Sequence, residues 1–138
     1  MEWWEKIKFN CVSTNKLENN IGYIKIRSFD GGVASDIKKA FNDLNSKGIK
    51  SLIIDLRNNG GGLVDQCLDI AELVVPKGEK MLITKDKKNS EDISISREEP
   101  IINMPIVILV NEYTASASEI LTAAIRENVN ATVIGTQT

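Results

Sequence analysis

Apolar and polar positions along the chain alternate between two periods. Over residues 21–29 (IGYIKIRSF) they alternate every second residue, which is typical of a half-buried strand. Apolar residues then recur at helical spacing from Val33 to Leu44, and Gly48 stands where the cap of a helix C-terminus belongs. This part of the chain therefore predicts a strand followed by an amphipathic helix.

The same alternation of strand and helix continues through the middle of the chain. Residues 51–56 (SLIIDL) predict a short strand that is covered on both faces, as in a parallel sheet. Helical spacing returns over residues 63–74. Residues 81–84 and 93–95 predict the two strands of a hairpin on an exposed edge, joined by turn residues at 86–89.

The last third of the chain repeats the pattern. Residues 106–110 (IVILV) form the most apolar strand, an apolar helical stripe follows over residues 120–125, and residues 131–134 predict a final strand. The resulting order, β-α-β-α-β-β-β-α-β, predicts an α/β fold with a largely parallel sheet and right-handed crossover helices. No linker interrupts it, so we expect a single domain over residues 1–138.

The two ends of the sequence carry weaker signals. Residues 1–20 show no recognisable start to a fold, and we expect Trp3 and Trp4 to belong to a buried surface or an interface. The final predicted strand lies within a few residues of Thr138. We therefore expect this chain to be a fragment of a longer protein, with an exposed edge strand through which copies could associate.

Composition excludes several classes of function. The 138 residues are 42% hydrophobic and 26% charged, as is ordinary for a globular domain. The net charge is −2 and no basic run exceeds a pair such as Lys87-Lys88, which disfavours nucleic acid as a partner. The apolar stretches are too short to span a bilayer, and no targeting signal opens the sequence at Met1.

The chain contains no histidine, which restricts its chemistry. A Ser-His-Asp triad, a Cys-His dyad and a histidine-ligated metal are all excluded within these residues. Cys11 and Cys67 lie far apart and support neither a disulfide framework nor a zinc site, so we expect both to be small core residues. We predict neither a metal nor a cofactor.

A glycine-rich turn is the first candidate site. Residues 57–62 (RNNGGG) follow a predicted strand and precede a helix, and glycines there would let main-chain N–H groups converge on an anion. The spacing fits neither a Walker motif nor a dinucleotide fingerprint. The alternative is a tight turn that merely requires glycine. Asp55 and Arg57 would then form an internal ion pair or position this turn.

A serine turn is the second candidate site. Residues 114–119 (TASASE) lie between the most apolar strand and a helix, so a serine there would stand at the carboxyl end of the sheet beside a helix N-terminus. The helix dipole and free amides favour developing negative charge, which suits a nucleophile. Alternatively, Ser116 and Glu119 form a capping box and serve only the helix. The residues alone leave both interpretations open.

Three segments together resemble one enzyme family. GYIKI at residues 22–26, IIDLRNNGGGL at 53–63 and PIVILVNEYTASASEIL at 105–121 are similar to the carboxyl-terminal processing peptidases, also called tail-specific proteases, which are serine–lysine peptidases. The resemblance extends from about Ile21 to Thr138. It implies a ClpP/crotonase-like core and polypeptide C-termini as substrates. Members of the family are typically exported to the periplasm, the cell exterior or a membrane face.

The resemblance also implies roles for individual residues. Ser116 would be the nucleophile, and the amides of Ala117 and Gly62 would form the oxyanion hole, with Gly61 as the next candidate. The family's lysine base lies about two dozen residues after its serine, and this chain has no lysine after Ser116. We therefore expect these 138 residues to be inactive, and to lack both the lysine segment and the family's PDZ domain.

Two other functions compete with the peptidase interpretation. The first is a non-catalytic peptide-binding or scaffolding module on the same fold, in which Ser116 only caps its helix. The second is a relative of the crotonase-type acyl-transfer enzymes, whose oxyanion holes are also built from main-chain amides. The TASASE sequence at residues 114–119 argues against the crotonase-type alternative.

Overall fold

A computed structural model of the protein describes residues 11–85 and 87–136. The predictions for Trp3, Trp4 and the turn position Asp86 lie outside the described residues. In chain order the elements are β1 (Val12–Leu17), β2 (Ile21–Ile26), α1 (Val33–Ser46), β3 (Ser51–Asp55), α2 (Val64–Ala71), β4 (Lys80–Lys85), β5 (Glu91–Ile95), β6 (Ile106–Val110), α3 (Ala117–Asn128) and β7 (Ala131–Gly135).

Five strands form the central sheet in the order β1-β2-β3-β6-β7, and β4 pairs with β5 in a separate hairpin. Strands β2, β3, β6 and β7 run parallel, while β1 is antiparallel to β2 at the edge. The register places Leu52 of β3 beside Ile106 of β6 and Ile54 beside Ile108. The predicted α/β fold with a largely parallel sheet and connecting helices is confirmed.

Strand β1 is an element that the sequence pattern did not predict. All six of its residues pair with β2, from Val12 opposite Ile26 to Leu17 opposite Ile21. The expectation that residues 1–20 show no start to the fold is therefore wrong for Val12–Leu17. Only Val12 in this strand is buried, so no apolar alternation marks the strand in the sequence. The strand is stabilised by its hydrogen bonds to β2 rather than by burial of its own side chains.

The hydrophobic core lies on one face of the sheet, where the three helices pack. Successive side chains of a strand point to opposite faces, so the buried positions alternate along β2 and β6. In β3, Leu52 and Ile54 are buried whereas Ile53 between them is only half-buried. Among the described residues β3 is therefore fully covered on one face, and the prediction of cover on both faces was wrong.

The topology brings the two candidate turns together. Strands β3 and β6 are parallel neighbours, so their carboxyl ends lie at the same edge of the sheet. The glycine turn follows β3, and the serine turn joins β6 to α3. Their proximity is therefore a consequence of strand order, in the place where open α/β sheets commonly bind ligands.

None of the described helices is long and apolar enough to cross a membrane. Within the same residues, no group of three or more Cys, Asp or Glu side chains is placed to hold a metal ion. Strand β7 hydrogen-bonds to β6 on one side and to no other described strand. Association of copies through the edge of β7 stays a prediction.

Two isoleucines test where the core lies. Ile108 in β6 is fully buried, whereas Ile83 in β4 is 47% exposed. Because a buried cavity costs both transfer and packing energy, Ile108→Ala should lower the free energy of unfolding by about 2–5 kcal/mol. Ile83→Ala should change it by less than about 1 kcal/mol. Urea denaturation measures both, and equal losses would contradict this core assignment.

Candidate active site

The glycine turn is shaped by a buried asparagine. Asn59 is fully buried, and its Nδ2 donates to the carbonyl of Ile26 at the end of β2 at 2.8 Å. Its Oδ1 accepts from the amide of Gly61 at 2.9 Å. A buried carboxamide is costly unless it is hydrogen-bonded, so these two contacts fix the turn relative to the sheet.

The main chain of the same asparagine joins the two turns. The carbonyl of Asn59 accepts from the amide of Ala115 at 3.1 Å and from the buried hydroxyl of Ser118 at 3.0 Å. Ala115 and Ser118 stand on either side of Ser116 and Ala117 in the sequence. The serine turn is thus hydrogen-bonded directly to the glycine turn.

Further hydrogen bonds from Thr114 and Asn111 hold the ends of β3 and β6 side by side. The buried hydroxyl of Thr114 donates to the carbonyl of Leu56 at 2.7 Å and accepts from the amide of Asn111 at 3.0 Å. The side chain of Asn111 also accepts from the amide of Asn58 at 3.0 Å and donates to the Asn58 side chain at 2.8 Å. These contacts restrict movement of one turn against the other.

Ser116 has a strained main-chain conformation and an exposed side chain. Its φ of 58° and ψ of −121° are rarely adopted by residues other than glycine. Gly61 lies directly opposite: a Cβ at Gly61 would be 2.8 Å from Ser116 Cβ and 3.2 Å from its Oγ. The two turns that the sequence singled out therefore meet at Gly61 and Ser116.

The predicted capping box is also present. The carboxylate of Glu119 accepts from the amide of Ser116 at 3.2 Å, and the side chain of Ser116 accepts from the amide of Glu119. An ordinary N-cap residue has extended dihedral angles, so capping alone does not require a positive φ at Ser116. The capping box therefore accounts for the helix start but not for the strained turn.

Two main-chain amides beside the Gly61–Ser116 contact have no partner among the described residues. The Gly61 carbonyl accepts from Phe29 at 3.0 Å, and because the peptide is planar and trans the Gly62 amide points the opposite way. Ala117 begins α3, where the first amides have no helical acceptor. The amide of Gly61, by contrast, is already bound to Asn59. Gly62 and Ala117 therefore carry the available donors.

The two cysteines lie in different environments. Cys67 is fully buried in α2, and its thiol donates to the carbonyl of Ala117 at 3.1 Å. Burial raises the pKa of Cys67 to about 12, so this group remains a neutral thiol beneath the serine turn. Cys11 is only half-buried and its thiol contacts the carboxylate of Asp30 at 3.1 Å. The core prediction is confirmed for Cys67, whereas Cys11 is partly buried and packs against the edge of the core.

A buried carboxylate anchors the start of the glycine turn. Asp55 at the end of β3 accepts from the Arg57 guanidinium at 2.9 and 3.0 Å, from the Arg57 amide at 3.0 Å, and from the hydroxyl of Tyr23. Lys25 Nζ lies 3.7 Å away. Burial opposes ionisation, but the bonds from Arg57 and Tyr23 outweigh it and hold the pKa of Asp55 well below its ordinary value.

The predicted residues meet as the sequence suggested, but several that join them were missed. The sequence singled out Ser116, the glycines and the Asp55–Arg57 pair, and each lies at or beside the junction of the turns. It did not single out Asn59, Ser118 or Thr114. In the sequence these three residues are recognisable only as polar residues close to glycine or serine. Such a pattern is also common in solvated turns, so it does not distinguish a buried polar residue.

A largely parallel α/β sheet with an exposed serine on a strained strand-to-helix turn, beside two amides that have no partner among the described residues, resembles the sites of serine hydrolases. The sequence profile described as "Peptidase family S41" matches residues 20–138. The chain belongs to this family of serine-type carboxyl-terminal processing peptidases.

Named relatives agree with the family assignment. The carboxy-terminal processing protease CtpA of Bacillus subtilis (strain 168) is 37% identical over 134 residues, which cover 97% of this chain and 29% of the relative. The chloroplastic carboxyl-terminal-processing peptidase 3 of Arabidopsis thaliana is 38% identical over 118 residues, covering 85% of this chain and 23% of that protein. The chain thus spans less than a third of the length of these relatives.

Solved structures support the fold. The photosystem II D1 C-terminal processing protease superimposes with a TM-score of 0.81 at 29% identity, covering 93% of this chain and 36% of that one. Mature CPAF superimposes with a TM-score of 0.65 at 14% identity, covering 92% of this chain and 40% of that one, and shows the fold alone.

The hydrogen bonds of Asp55 with Arg57 and Tyr23 should make the protein less stable as the pH falls below the ordinary range of a carboxyl group. Because folding lowers the pKa of Asp55, its contribution is present above the unfolded pKa, near 4, and is lost as the pH falls further. Asp55→Asn should lower the free energy of unfolding at pH 7 by about 1–3 kcal/mol. The variant should also lose less stability than the parent between pH 5 and pH 3. Urea denaturation across this range measures both effects, and parallel profiles would contradict the assignment.

Two neighbouring glycines test the contact between the turns. Gly61 has a φ of 113° and no room for a Cβ against Ser116, whereas a Cβ at Gly60 meets nothing within 4 Å. Gly61→Ala should therefore lower the free energy of unfolding by about 1–3 kcal/mol and shift the Ser116 and Ala117 amide resonances. Gly60→Ala is the matched control and should do neither. Equal behaviour of the two variants in urea denaturation and NMR would disprove the contact.

Proposed function

We propose that Ser116 is the nucleophile of a carboxyl-terminal processing peptidase that cuts polypeptide substrates near their C-termini. The observation that carries the proposal is the strained, exposed Ser116 packed against Gly61. Strained residues cluster at functional sites, where the surrounding structure maintains them. The names of the relatives, which are carboxyl-terminal processing proteases, supply the substrate class.

The unpaired amides would stabilise the negative charge that forms on the substrate when Ser116 attacks. In the proposed reaction, Ser116 Oγ forms a bond to the substrate carbonyl carbon, and the carbonyl oxygen becomes an oxyanion. The amides of Gly62 and Ala117 would donate to that oxyanion from about 3 Å. Collapse breaks the peptide bond, and the leaving nitrogen takes a proton as the C-terminal piece departs. Water then hydrolyses the acyl-enzyme and regenerates the serine.

The proton of Ser116 requires a base, and among the described residues no lysine is hydrogen-bonded to Ser116. A serine hydroxyl is a weak nucleophile without one, and the sequence has no histidine and no lysine after Ser116. We propose that the base is a lysine outside the 138 residues, kept neutral by burial, as in a serine–lysine dyad. The 138-residue polypeptide by itself would then not turn over peptides.

A non-catalytic peptide-binding function is the second candidate. The observation in its favour is the capping box, since Glu119 and Ser116 satisfy each other's amides whether or not chemistry takes place. The strained φ of Ser116 favours the peptidase, because a serine that only caps a helix has no need of that conformation. The two functions differ in whether the Ser116 hydroxyl reacts as a nucleophile.

Labelling of the serine tests the proposal. The protein is extended past Thr138 to the length of its curated relatives and treated with a fluorophosphonate probe and a model tail peptide. We expect Ser116 to be labelled, and Ser116→Ala to lose labelling and about 10³-fold or more of cleavage. Ser46→Ala, a change of an exposed serine in α1, is the matched control and should keep both.

The outcomes decide between the two candidate functions. If the extended protein and its Ser116→Ala variant behave alike, Ser116 is not the nucleophile and the peptidase proposal is wrong. The 138-residue polypeptide is measured alongside and should cleave nothing. Cleavage by it at the rate of the extended protein would contradict the proposal that the base lies outside these residues.

A further inference from the structure

Two asparagines join the glycine turn, at the protein surface, to the loop that leads into the serine turn. The amide of Asn58 donates to Asn111 Oδ1 at 3.0 Å, and Asn111 Nδ2 donates back to Asn58 Oδ1 at 2.8 Å. We call these two residues the asparagine pair. Asn58 is exposed and Asn111 is half-buried, whereas Asn59 is fully buried. The pair therefore lies on the outer side of the junction between the turns.

Each member of the asparagine pair is held by its own part of the chain. Asn58 has a left-handed φ of 64°, which asparagine adopts more readily than most residues. Asn111 Oδ1 also accepts from the amide of Tyr113 at 3.1 Å, and the amide of Asn111 donates to the Thr114 hydroxyl at 3.0 Å. The two carboxamides therefore meet in a defined orientation.

The stability of the fold gives little reason for this pair. An exposed carboxamide that loses its partner is hydrated instead, so its hydrogen bond adds little to the free energy of unfolding. The buried groups of Asn59 and Thr114 already hold the turns together from within. Because Gly62 and Ser116 are also exposed, the asparagine pair restrains the turns on the side that a substrate approaches.

The two turns carry one proposed oxyanion donor each. Gly62 ends the glycine turn and Ala117 follows Ser116 at the start of α3. Both amides would have to lie about 3 Å from one oxygen atom. Their separation depends on how the turns are placed relative to each other, and a displacement of about 1 Å can cost about 10²-fold in rate.

We propose that Asn58 and Asn111 are positioning residues whose reciprocal hydrogen bonds set the separation of the Gly62 and Ala117 amides. In the described part of the chain neither carboxamide is hydrogen-bonded to Ser116, so the effect on the reaction is indirect. This inference rests on the proposed function and deepens it, because it assigns the pair to the step in which the oxyanion forms. Loss of the pair should therefore lower kcat and leave KM unchanged.

Three substitutions isolate the contribution of the Asn58 carboxamide. Asn58→Gly removes it, and glycine adopts the same φ without strain. Asn58→Asp is the conservative variant, since a carboxylate oxygen still accepts from Asn111 Nδ2. Asn89→Gly is the matched control, because Asn89 is also exposed, has a φ of 63° and lies between β4 and β5.

The test is steady-state cleavage of a tail peptide by the protein extended past Thr138. Rates are expressed per serine labelled to completion by a fluorophosphonate, so that unfolded protein does not enter the comparison. We expect Asn58→Gly to lower kcat about 10-fold without a change in KM. Asn58→Asp should retain most of the activity at high salt, which screens its charge, and Asn89→Gly should match the parent. Equal kcat in the two glycine variants, or equal losses in Asn58→Gly and Asn58→Asp, would overturn the proposal.

A double-mutant cycle tests whether the two side chains act together. In an Asn111→Ala background, Asn58→Gly should lower kcat by less than about 2-fold, because the partner of its carboxamide is already absent. A loss as large as in the parent background would overturn the proposal.

Two outcomes separate this proposal from the proposed function. If the parent is not labelled at Ser116, the proposed function is wrong. If the parent is labelled and cleaves the peptide while the Asn58 variants match it, Ser116 remains the nucleophile and the positioning proposal alone fails.

An NMR measurement on the 138-residue protein tests the geometry without catalysis. Asn58→Gly should shift the amide resonances of both Gly62 and Ala117, and Asn89→Gly should leave them in place. An unchanged Ala117 resonance in Asn58→Gly would overturn the proposal whatever the result of labelling.

Discussion

The buried carboxamide and carbonyl of Asn59 hold together two turns that are far apart in the sequence. The side chain joins β2 to the glycine turn, and the main-chain oxygen accepts from both flanks of the serine turn. Each of these groups would be costly to bury without a partner, so the four contacts stabilise one another as a set. The position of Ser116 relative to the glycine turn depends on this set.

The approach of the two turns also requires the absence of a side chain. Gly61 leaves the space that Ser116 occupies, and Ser116 in turn has a main-chain conformation that an isolated serine would avoid. The packing of α3 maintains that conformation, because Leu121 and Ile125 are fully buried and Cys67 hydrogen-bonds to Ala117. A well-packed helix is therefore part of what keeps an exposed hydroxyl in place.

The arrangement divides the proposed chemistry between main chain and side chain. Amides at Gly62 and Ala117 are fixed by a strand contact and a helix start, so they need no reorganisation when negative charge develops. Among the described residues no lysine is hydrogen-bonded to Ser116, and in the proposed mechanism proton transfer falls to a lysine outside the 138 residues.

The sequence by itself determined the elements whose apolar positions are periodic, such as β2 and the helix from Val33, and the family motifs singled out Ser116 and the glycines. Periodicity reports which face of a segment is buried, and that information is local. The tertiary structure alone decided the pairing of the polar strand β1, the role of Asn59, and which glycine amide is left unbound. The role of Asn59 depends on hydrogen bonds to Ile26, Ala115 and Ser118, which are distant in the chain, and the free amide of Gly62 depends on the bond from Phe29 to Gly61. A sequence does not show whether the partner of a polar side chain is water or a buried carbonyl.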